Sequence, residues 1–131
     1  MKFYLLLYIL VFMIPEPSKT LADYRWKNRL VITDFDNLKL DSLLKGNEQS
    51  LLDRKLVFIS FHDGKFQSAS DSAEIESKQF LNILSKTDSS AEWVLIGLDG
   101  GVKASGKQLD FSLSKITTLI DQMPMRQSEI N

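Results

Sequence analysis

Three short hydrophobic runs mark the central part of this chain, at residues 30–35, 56–61 and 93–98. Runs of this length, bounded by turn residues and rich in β-branched or aromatic side chains, predict strands that are buried in a sheet. A fourth, partly polar strand is predicted at 102–106. Because the Asp99-Gly-Gly101 turn separates it from the third strand, these two strands are expected to form a hairpin at one edge of the sheet.

Apolar residues at helical spacing predict the segments between the strands. A helix of roughly two turns is expected to begin at Asp36, and a second short helical piece follows the break at Gly46. Helices are also predicted at 77–86 and 111–120, and Pro124 is expected to stop the last one.

The predicted order is β-α-β-α-β-β-α, with a serine-rich loop at 63–77. Alternating strands and helices favour a parallel pair, here 30–35 beside 56–61, joined by a right-handed crossover. Together with the final antiparallel hairpin, this order is that of a thioredoxin-like α/β core, in which helices cover both faces of the sheet as a three-layer sandwich.

Residues 1–22 have the three-part pattern of an export signal. Lys2 precedes the apolar run 3–14, and a polar segment with small residues then leads to Ala22. The run is shorter than the roughly 20 apolar residues that a membrane span requires. We therefore predict cleavage after Ala22, which leaves one periplasmic or extracellular domain, 23–131, without a membrane span.

Composition excludes several kinds of chemistry. Lys and Arg number 16 and Asp and Glu number 17, for a net charge of −1, so no basic surface for nucleic acid is expected. Cysteine is absent, which excludes thiol redox catalysis and Cys-ligated metal. The single histidine, His62, would need carboxylates to complete a zinc site, so no metal and no cofactor are expected.

The Asp34-Phe-Asp36 sequence leaves an enzymatic alternative open. In a magnesium-dependent phosphatase of the haloacid dehalogenase type, Asp34 would be the nucleophile and Asp36 the general acid. However, Leu38 stands where that family has Thr, and both carboxylates can instead end a strand and cap a helix. A non-enzymatic protein is the favoured interpretation, with this phosphatase or a thiol-independent redox-related protein as the alternative.

Four stretches together resemble the P-DUDES domain family: Tyr24–Leu30, Arg54–Phe58, Gly97–Lys103 and Ile120–Arg126. The resemblance implies a thioredoxin-like, peroxiredoxin-related domain of unknown function. Members occur as small exported bacterial proteins and as modules of animal sushi-repeat and matrix-associated proteins. Leu98 stands where the family usually has Lys, and Lys55 where it usually has Asp. The implied role is an interaction module whose partner is an unidentified protein or an envelope or matrix component, in an oligomeric state left open.

The resemblance also selects the residues that would form an interaction surface or support the structure. These candidates are Trp26, Arg29, Arg54, Asp99, Gly100, Gly101, Lys103, Asp121, Met123, Pro124, Met125 and Arg126. The aromatic and basic residues before the first strand, Tyr24, Trp26 and Arg29, are expected to cover one end of the core. No catalytic, cofactor-binding or metal-binding residue is predicted.

Three of these candidates carry specific structural expectations. One glycine of the Asp99-Gly-Gly101 turn is expected at positive φ, in preference to a backbone nest for an anion. Met123 is expected to be buried at the end of the last helix, in preference to forming a partner-binding edge. Arg126 is expected to form an ion pair with Asp121 or with Asp34.

Overall fold

The computed structural model describes residues 17–35 and 40–130. The strands are β1 (Arg29–Asp34), β2 (Leu56–His62), β3 (Lys65–Ala69), β4 (Trp93–Ile96) and β5 (Val102–Gly106). The helices are α1 (Leu21–Tyr24), α2 (Leu40–Leu44), α3 (Glu48–Asp53), α4 (Ser77–Thr87), α5 (Leu113–Asp121) and α6 (Pro124–Ile130), with a 3₁₀ turn at Gln108–Asp110. The apolar run of the export signal and the expected helix start at Asp36 lie outside the described residues. Within the described ranges, no helix is both long enough and apolar enough to cross a membrane.

The five strands form one mixed sheet in the order β3-β2-β1-β4-β5. β1 runs parallel to β2, with Arg29 beside Leu56, and antiparallel to β4, with Leu30 beside Ile96. β4 and β5 form an antiparallel hairpin. The predicted parallel pair and the predicted hairpin are confirmed. These directions are compatible with a thioredoxin-like arrangement and confirm the α/β fold class.

The apolar strands are buried on both faces because alternate side chains point into two separate clusters. One cluster lies under α1 and α4 and contains Leu30, Ile32, Val57, Ile59, Phe61, Phe80, Leu84, Val94 and Ile96. The other lies under α2, α3 and α5 and contains Val31, Phe35, Leu51, Leu56, Phe58, Trp93, Leu95, Ile116 and Ile120. The sheet therefore forms the middle of three layers.

The prediction of a loop over residues 63–77 is wrong for its first part. Asp63 and Gly64 have φ values of 49° and 75°, so the chain reverses tightly after β2. Residues Lys65–Ala69 return as the edge strand β3, in which Phe66 pairs with Phe61. The polar composition that predicted a loop reflects an edge strand, which has one neighbour and a solvent-exposed side.

The prediction that Pro124 ends the helical part of the chain is also wrong. α5 ends at Asp121, and Pro124 is the first residue of α6. Proline is favoured at this position because its missing N–H would have no partner within the helix. The segment after Pro124, for which the sequence predicted no helix, is therefore helical, and it brings its charged residues back to the start of β1.

Residues directly before Asp23 contact the rest of the domain. Lys19 forms a parallel bridge with Ile75, in which its N–H donates to the Glu74 carbonyl at 2.8 Å and its carbonyl accepts from Glu76 at 2.9 Å. Leu21 packs against the cluster under α4. Cleavage after Ala22 remains a prediction, and it would remove these contacts.

Candidate functional site

Most of the candidate residues meet at one end of the sheet. We call this end of the sheet the arginine end. It is formed by the residues at the starts of β1 and β2, by the β4–β5 turn and by α6. β4 is antiparallel to β1, so the end of β4 lies beside the start of β1. A cavity of about 240 Å³ opens there, lined by Arg29, Gly97, Leu98, Asp99, Lys103, Met123, Pro124 and Met125. Six of the twelve candidates therefore border one cavity.

Arg29 is the most unusual of these residues because its side chain is only 1% exposed. Its Nη1 donates to the Arg54 carbonyl at 2.9 Å and to both carboxylate oxygens of Glu129 at 3.3 Å. Its Nε and Nη2 are buried and have no hydrogen-bond partner among the described residues. A buried donor without a partner costs about 1–3 kcal/mol, so this arrangement needs an explanation other than stability.

Arg54 lies beside Arg29, and the edge of its guanidinium that carries Nε and Nη2 is occupied by a carboxylate. Arg54 donates from Nε to Asp121 Oδ1 at 3.0 Å and from Nη2 to Asp121 Oδ2 at 2.8 Å. Arg126 donates from Nε to Asp121 Oδ1 at 3.2 Å, which confirms the predicted pair with Asp121 and not with Asp34. Hydrogen bonds from Arg54, and then from Arg126, hold the pKa of Asp121 below its usual value.

Glu129 connects Arg29 with Arg126, and the sequence analysis did not select it as a candidate. Its carboxylate binds Arg29 and Arg126 and lies 3.8 Å from Lys55 Nζ. Desolvation opposes ionisation of Glu129, but hydrogen bonds and charges from its cationic neighbours lower its pKa. The spacing of Arg126 and Glu129, three residues apart, is the signal that could have identified one face of a helix.

The charges at the arginine end do not balance. Arg29, Arg54, Lys55 and Arg126 supply four positive charges, whereas Asp121 and Glu129 supply two negative charges. The difference, 4 − 2, leaves a net charge of +2 for these six described residues, which form a partly buried group. Lys103 does not add to it because its Nζ pairs with Asp99 Oδ2 at 2.9 Å.

The β4–β5 turn depends on two glycines and one carboxylate. Gly100 has a φ of 84°, which confirms the predicted positive φ in this turn. Asp99 Oδ1 accepts from the Gly101 N–H at 2.9 Å, and this bond, followed by the Lys103 bond, lowers the pKa of Asp99. At Gly97 an added Cβ would lie 2.6 Å from Lys103 Cε, so a larger residue there would displace the end of that flexible side chain.

Two expectations about side-chain burial need correction. Trp26 does not cover the core, since it is 59% exposed, whereas Tyr24 is buried and donates to Asp71 Oδ2 at 2.9 Å. Burial, and then the Asp71 hydrogen bond, raises the pKa of Tyr24. Met123 is only partly buried against the cluster under α5, and Met125 is 44% exposed. These two thioethers form a side of the cavity that is open to solvent.

The opposite end of the same strands carries the residues of the enzymatic alternative. Asp34 Oδ2 accepts from the Gly64 N–H at 3.2 Å, and Asp36 lies outside the described residues. His62 Nδ1 is 3.0 Å from the Phe35 carbonyl. Among residues 17–35 and 40–130, no group of three or more His, Asp or Glu side chains could hold a metal ion.

The fold and this site define an α/β domain with a charged cavity at the amino end of its parallel strands. A family model described as a domain of unknown function (DUF4174) matches residues 20–129. The chain therefore belongs to this family. Comparison with curated proteins and with solved structures gives no match.

Proposed function

We propose that this chain is an exported, non-enzymatic binding module of the P-DUDES type, which acts in the cell envelope or the extracellular space. Its binding site is the cavity of the arginine end. The observation that carries this proposal is the buried Arg29 side chain, which lines a cavity of about 240 Å³ and whose Nε and Nη2 have no partner in the described part of the chain. Ligand sites characteristically combine an apolar wall with a few well-placed polar groups.

Export is supported by the sequence of residues 1–22. The charged start, the apolar run and the small residues before Asp23 form the pattern of a secretory signal. The resemblance to the P-DUDES family, in which small exported proteins occur, supports the same location. Cell fractionation followed by N-terminal sequencing tests it, and a chain that stays in the cytoplasm with Met1 in place would contradict it.

Binding without catalysis is supported by the chemistry of the cavity. None of the described residues that line it is Ser, Thr, Tyr or His, so the lining offers no hydroxyl nucleophile and no imidazole base. Its one carboxylate, Asp99, is held by the Gly101 N–H and Lys103. The lining is therefore suited to holding a ligand in place.

Partner capture tests the proposed location of the site. The immobilised protein is exposed to the envelope and extracellular fractions of the producing organism, and captured components are compared between two variants. Met125→Lys changes the open wall of the cavity, whereas Leu109→Lys makes the same charge change at a side chain that is 98% exposed near the other end of β5. We expect Met125→Lys to abolish capture and Leu109→Lys to leave it intact. Equal capture by both variants would contradict the proposed site.

A further inference from the structure

We propose that the arginine end binds a carboxylate, held by Nε and Nη2 of Arg29 as a bidentate pair, with a short apolar body packed against Met123 and Met125. This inference rests on the proposed function, because it names the ligand chemistry of the same cavity. It concerns the carboxylate group itself, whether it belongs to a free small acid or to the C-terminus of a peptide.

The first argument is a comparison of two arginines within the molecule. Arg54 binds Asp121 through its Nε and Nη2, at 3.0 and 2.8 Å. This planar fork fits the two oxygens of a carboxylate, and such pairs are among the stronger hydrogen bonds in proteins. Arg29 has the same two nitrogens free. The chain thus already shows, in Arg54, the contact that we infer for Arg29.

The second argument is charge. Four cations face two carboxylates at the arginine end, and the Arg29 side chain is 1% exposed, so solvent screens its charge poorly. One bound carboxylate would lower the net charge from +2 to +1. A phosphate dianion is less suitable, because the nearest additional cation on the cavity wall, Lys103, is already held by Asp99.

The third argument concerns access and size. Nε and Nη2 of Arg29 are enclosed, so a ligand reaches them only when a neighbouring side chain moves. Met123 and Met125 line the cavity beside Arg29, and methionine has an unbranched side chain that adapts its shape readily. The cavity volume of about 240 Å³ lies below the range of roughly 300–1,000 Å³ typical of drug-sized ligands. A short-chain carboxylate is therefore the fitting class.

Nuclear magnetic resonance of the arginine Nε–H groups tests this directly. The protein is titrated at constant ionic strength with sodium butyrate, butanol and inorganic phosphate as separate probes. We expect butyrate to shift the Arg29 Nε–H signal saturably and to leave the Arg54 signal in place, because Asp121 already occupies that edge. Butanol should shift neither signal. Equal shifts of both arginines, or no saturable shift of Arg29, would overturn the inference, as would phosphate binding as tightly as butyrate.

Two peptides distinguish the sources of the carboxylate. They share one short apolar sequence and differ only in a free or an amidated C-terminus. Tighter binding of the free-acid peptide supports a C-terminal ligand, and binding of butyrate but of neither peptide supports a free small acid. Equal binding of both peptides at the Arg29 signal would contradict recognition of a carboxylate.

A variant that keeps the buried Arg29 measures loss of binding separately from loss of folding. Met125→Trp fills the cavity entrance and should weaken butyrate binding by about tenfold or more. Leu109→Trp is the matched control and should leave the affinity unchanged. If partner capture depends on Met125 but butyrate never shifts Arg29, the binding module stands and the carboxylate inference falls. If butyrate binds but capture ignores Met125, the proposed function falls instead.

Discussion

The two ends of β1 carry opposite charges in very different surroundings. At the arginine end, the Arg29 side chain is 1% exposed, and two of its nitrogens have no partner in the ranges that the structure describes. At the other end, Asp34 accepts a hydrogen bond from Gly64 beside a turn in which the Asp63 side chain is 80% exposed. Ligands of open α/β sheets usually bind beyond the carboxyl ends of the strands, which here is the Asp34 end. The buried charged group without a full set of partners among the described residues lies at the amino ends instead, although the hydroxyl of Thr33, next to Asp34, is also buried without a partner.

The difference follows from what covers each end. α6 folds back over the start of β1 and encloses the guanidinium with Glu129. The β2–β3 turn at the other end leaves its charged side chains in water, where unpaired groups cost little. The general rule about fold therefore favours the Asp34 end, whereas the buried charge of Arg29 and its two nitrogens without partners are the reason that we propose a site at the arginine end.

The largest expected change in the free energy of unfolding concerns the N-terminal segment, which precedes the arginine end in the chain. A chain that begins at Asp23 lacks both backbone hydrogen bonds of Lys19 and the packing of Leu21. It should be less stable than a chain that begins at Pro17 by about 2 kcal/mol or more, at roughly 1 kcal/mol for each hydrogen bond. Urea unfolding of the two chains measures this. Equal stability would show that the segment adds nothing and would favour cleavage after Ala22.

A substitution at each end of the parallel strands tests the comparison itself. Arg54→Met breaks the bidentate pair with Asp121, and the cost should be about 1–2 kcal/mol, since Asp121 is partly exposed. Asp34→Asn keeps an oxygen for Gly64 and should change the free energy of unfolding by less than about 0.5 kcal/mol. Thermal or urea unfolding compares them. A larger loss for Asp34→Asn would reverse the contrast between the two ends.

The turn that borders the cavity predicts an effect of about 1 kcal/mol. Gly100→Ala places a side chain at a φ of 84°, which is unfavourable for residues other than glycine. Gly101→Ala is the control, because Gly101 does not have positive φ. Its added Cβ would meet Asp99 Oδ1 at 3.2 Å, and its other neighbours, Lys103 Nζ at 3.6 Å and Asp99 Cγ at 3.7 Å, are at ordinary contact distance. We expect Gly100→Ala to lower the unfolding midpoint more. The reverse ranking would mean that the contact with Asp99 matters more than backbone strain.

Acid should reduce the contribution of the arginine end to the free energy of unfolding in a defined range of pH. The pKa values of Asp121 and Glu129 lie below their ordinary values of 3.8 and 4.5 in the folded chain. As the pH falls towards these ordinary values, the unfolded chain therefore binds more protons than the folded chain. The contribution of these two carboxylates to the free energy of unfolding is present above pH 4.5, and it is lost as the pH falls through their pKa values in the folded chain. Replacing both with Asn and Gln should reduce the acid dependence of urea unfolding. An unchanged pH dependence would exclude these carboxylates as its source.

At the Asp34 end of the strands, we expect no phosphatase activity. A general phosphatase screen with magnesium should find only background hydrolysis, and Asp34→Asn should leave that background unchanged. Leu38 in place of the expected Thr is the reason for this expectation. Hydrolysis that requires magnesium and disappears in Asp34→Asn would replace the binding module with the phosphatase alternative.

Local patterns in the sequence determined much of this fold. Continuous apolar runs specified the three buried strands, because strands covered on both faces have no polar side. The Asp99-Gly-Gly101 turn specified the hairpin, since one residue there needs positive φ. These features depend on neighbouring residues, and they are confirmed. Strand β3 was missed because its polar composition, which is tolerated at an edge, is also that of a loop.

Only the tertiary structure decided the site. Arg29 and Glu129 are 100 residues apart in the chain, and α6, which carries Glu129, follows the proline that was expected to stop the last helix. The sequence marked Arg29 and Arg54 alike as candidates and did not distinguish an occupied edge from a free one. Whether a buried donor finds an acceptor depends on which distant side chains fold against it. That long-range pairing occupies Nη1 of Arg29 and leaves Nε and Nη2 without a partner among residues 17–35 and 40–130, in a side chain that lines the cavity.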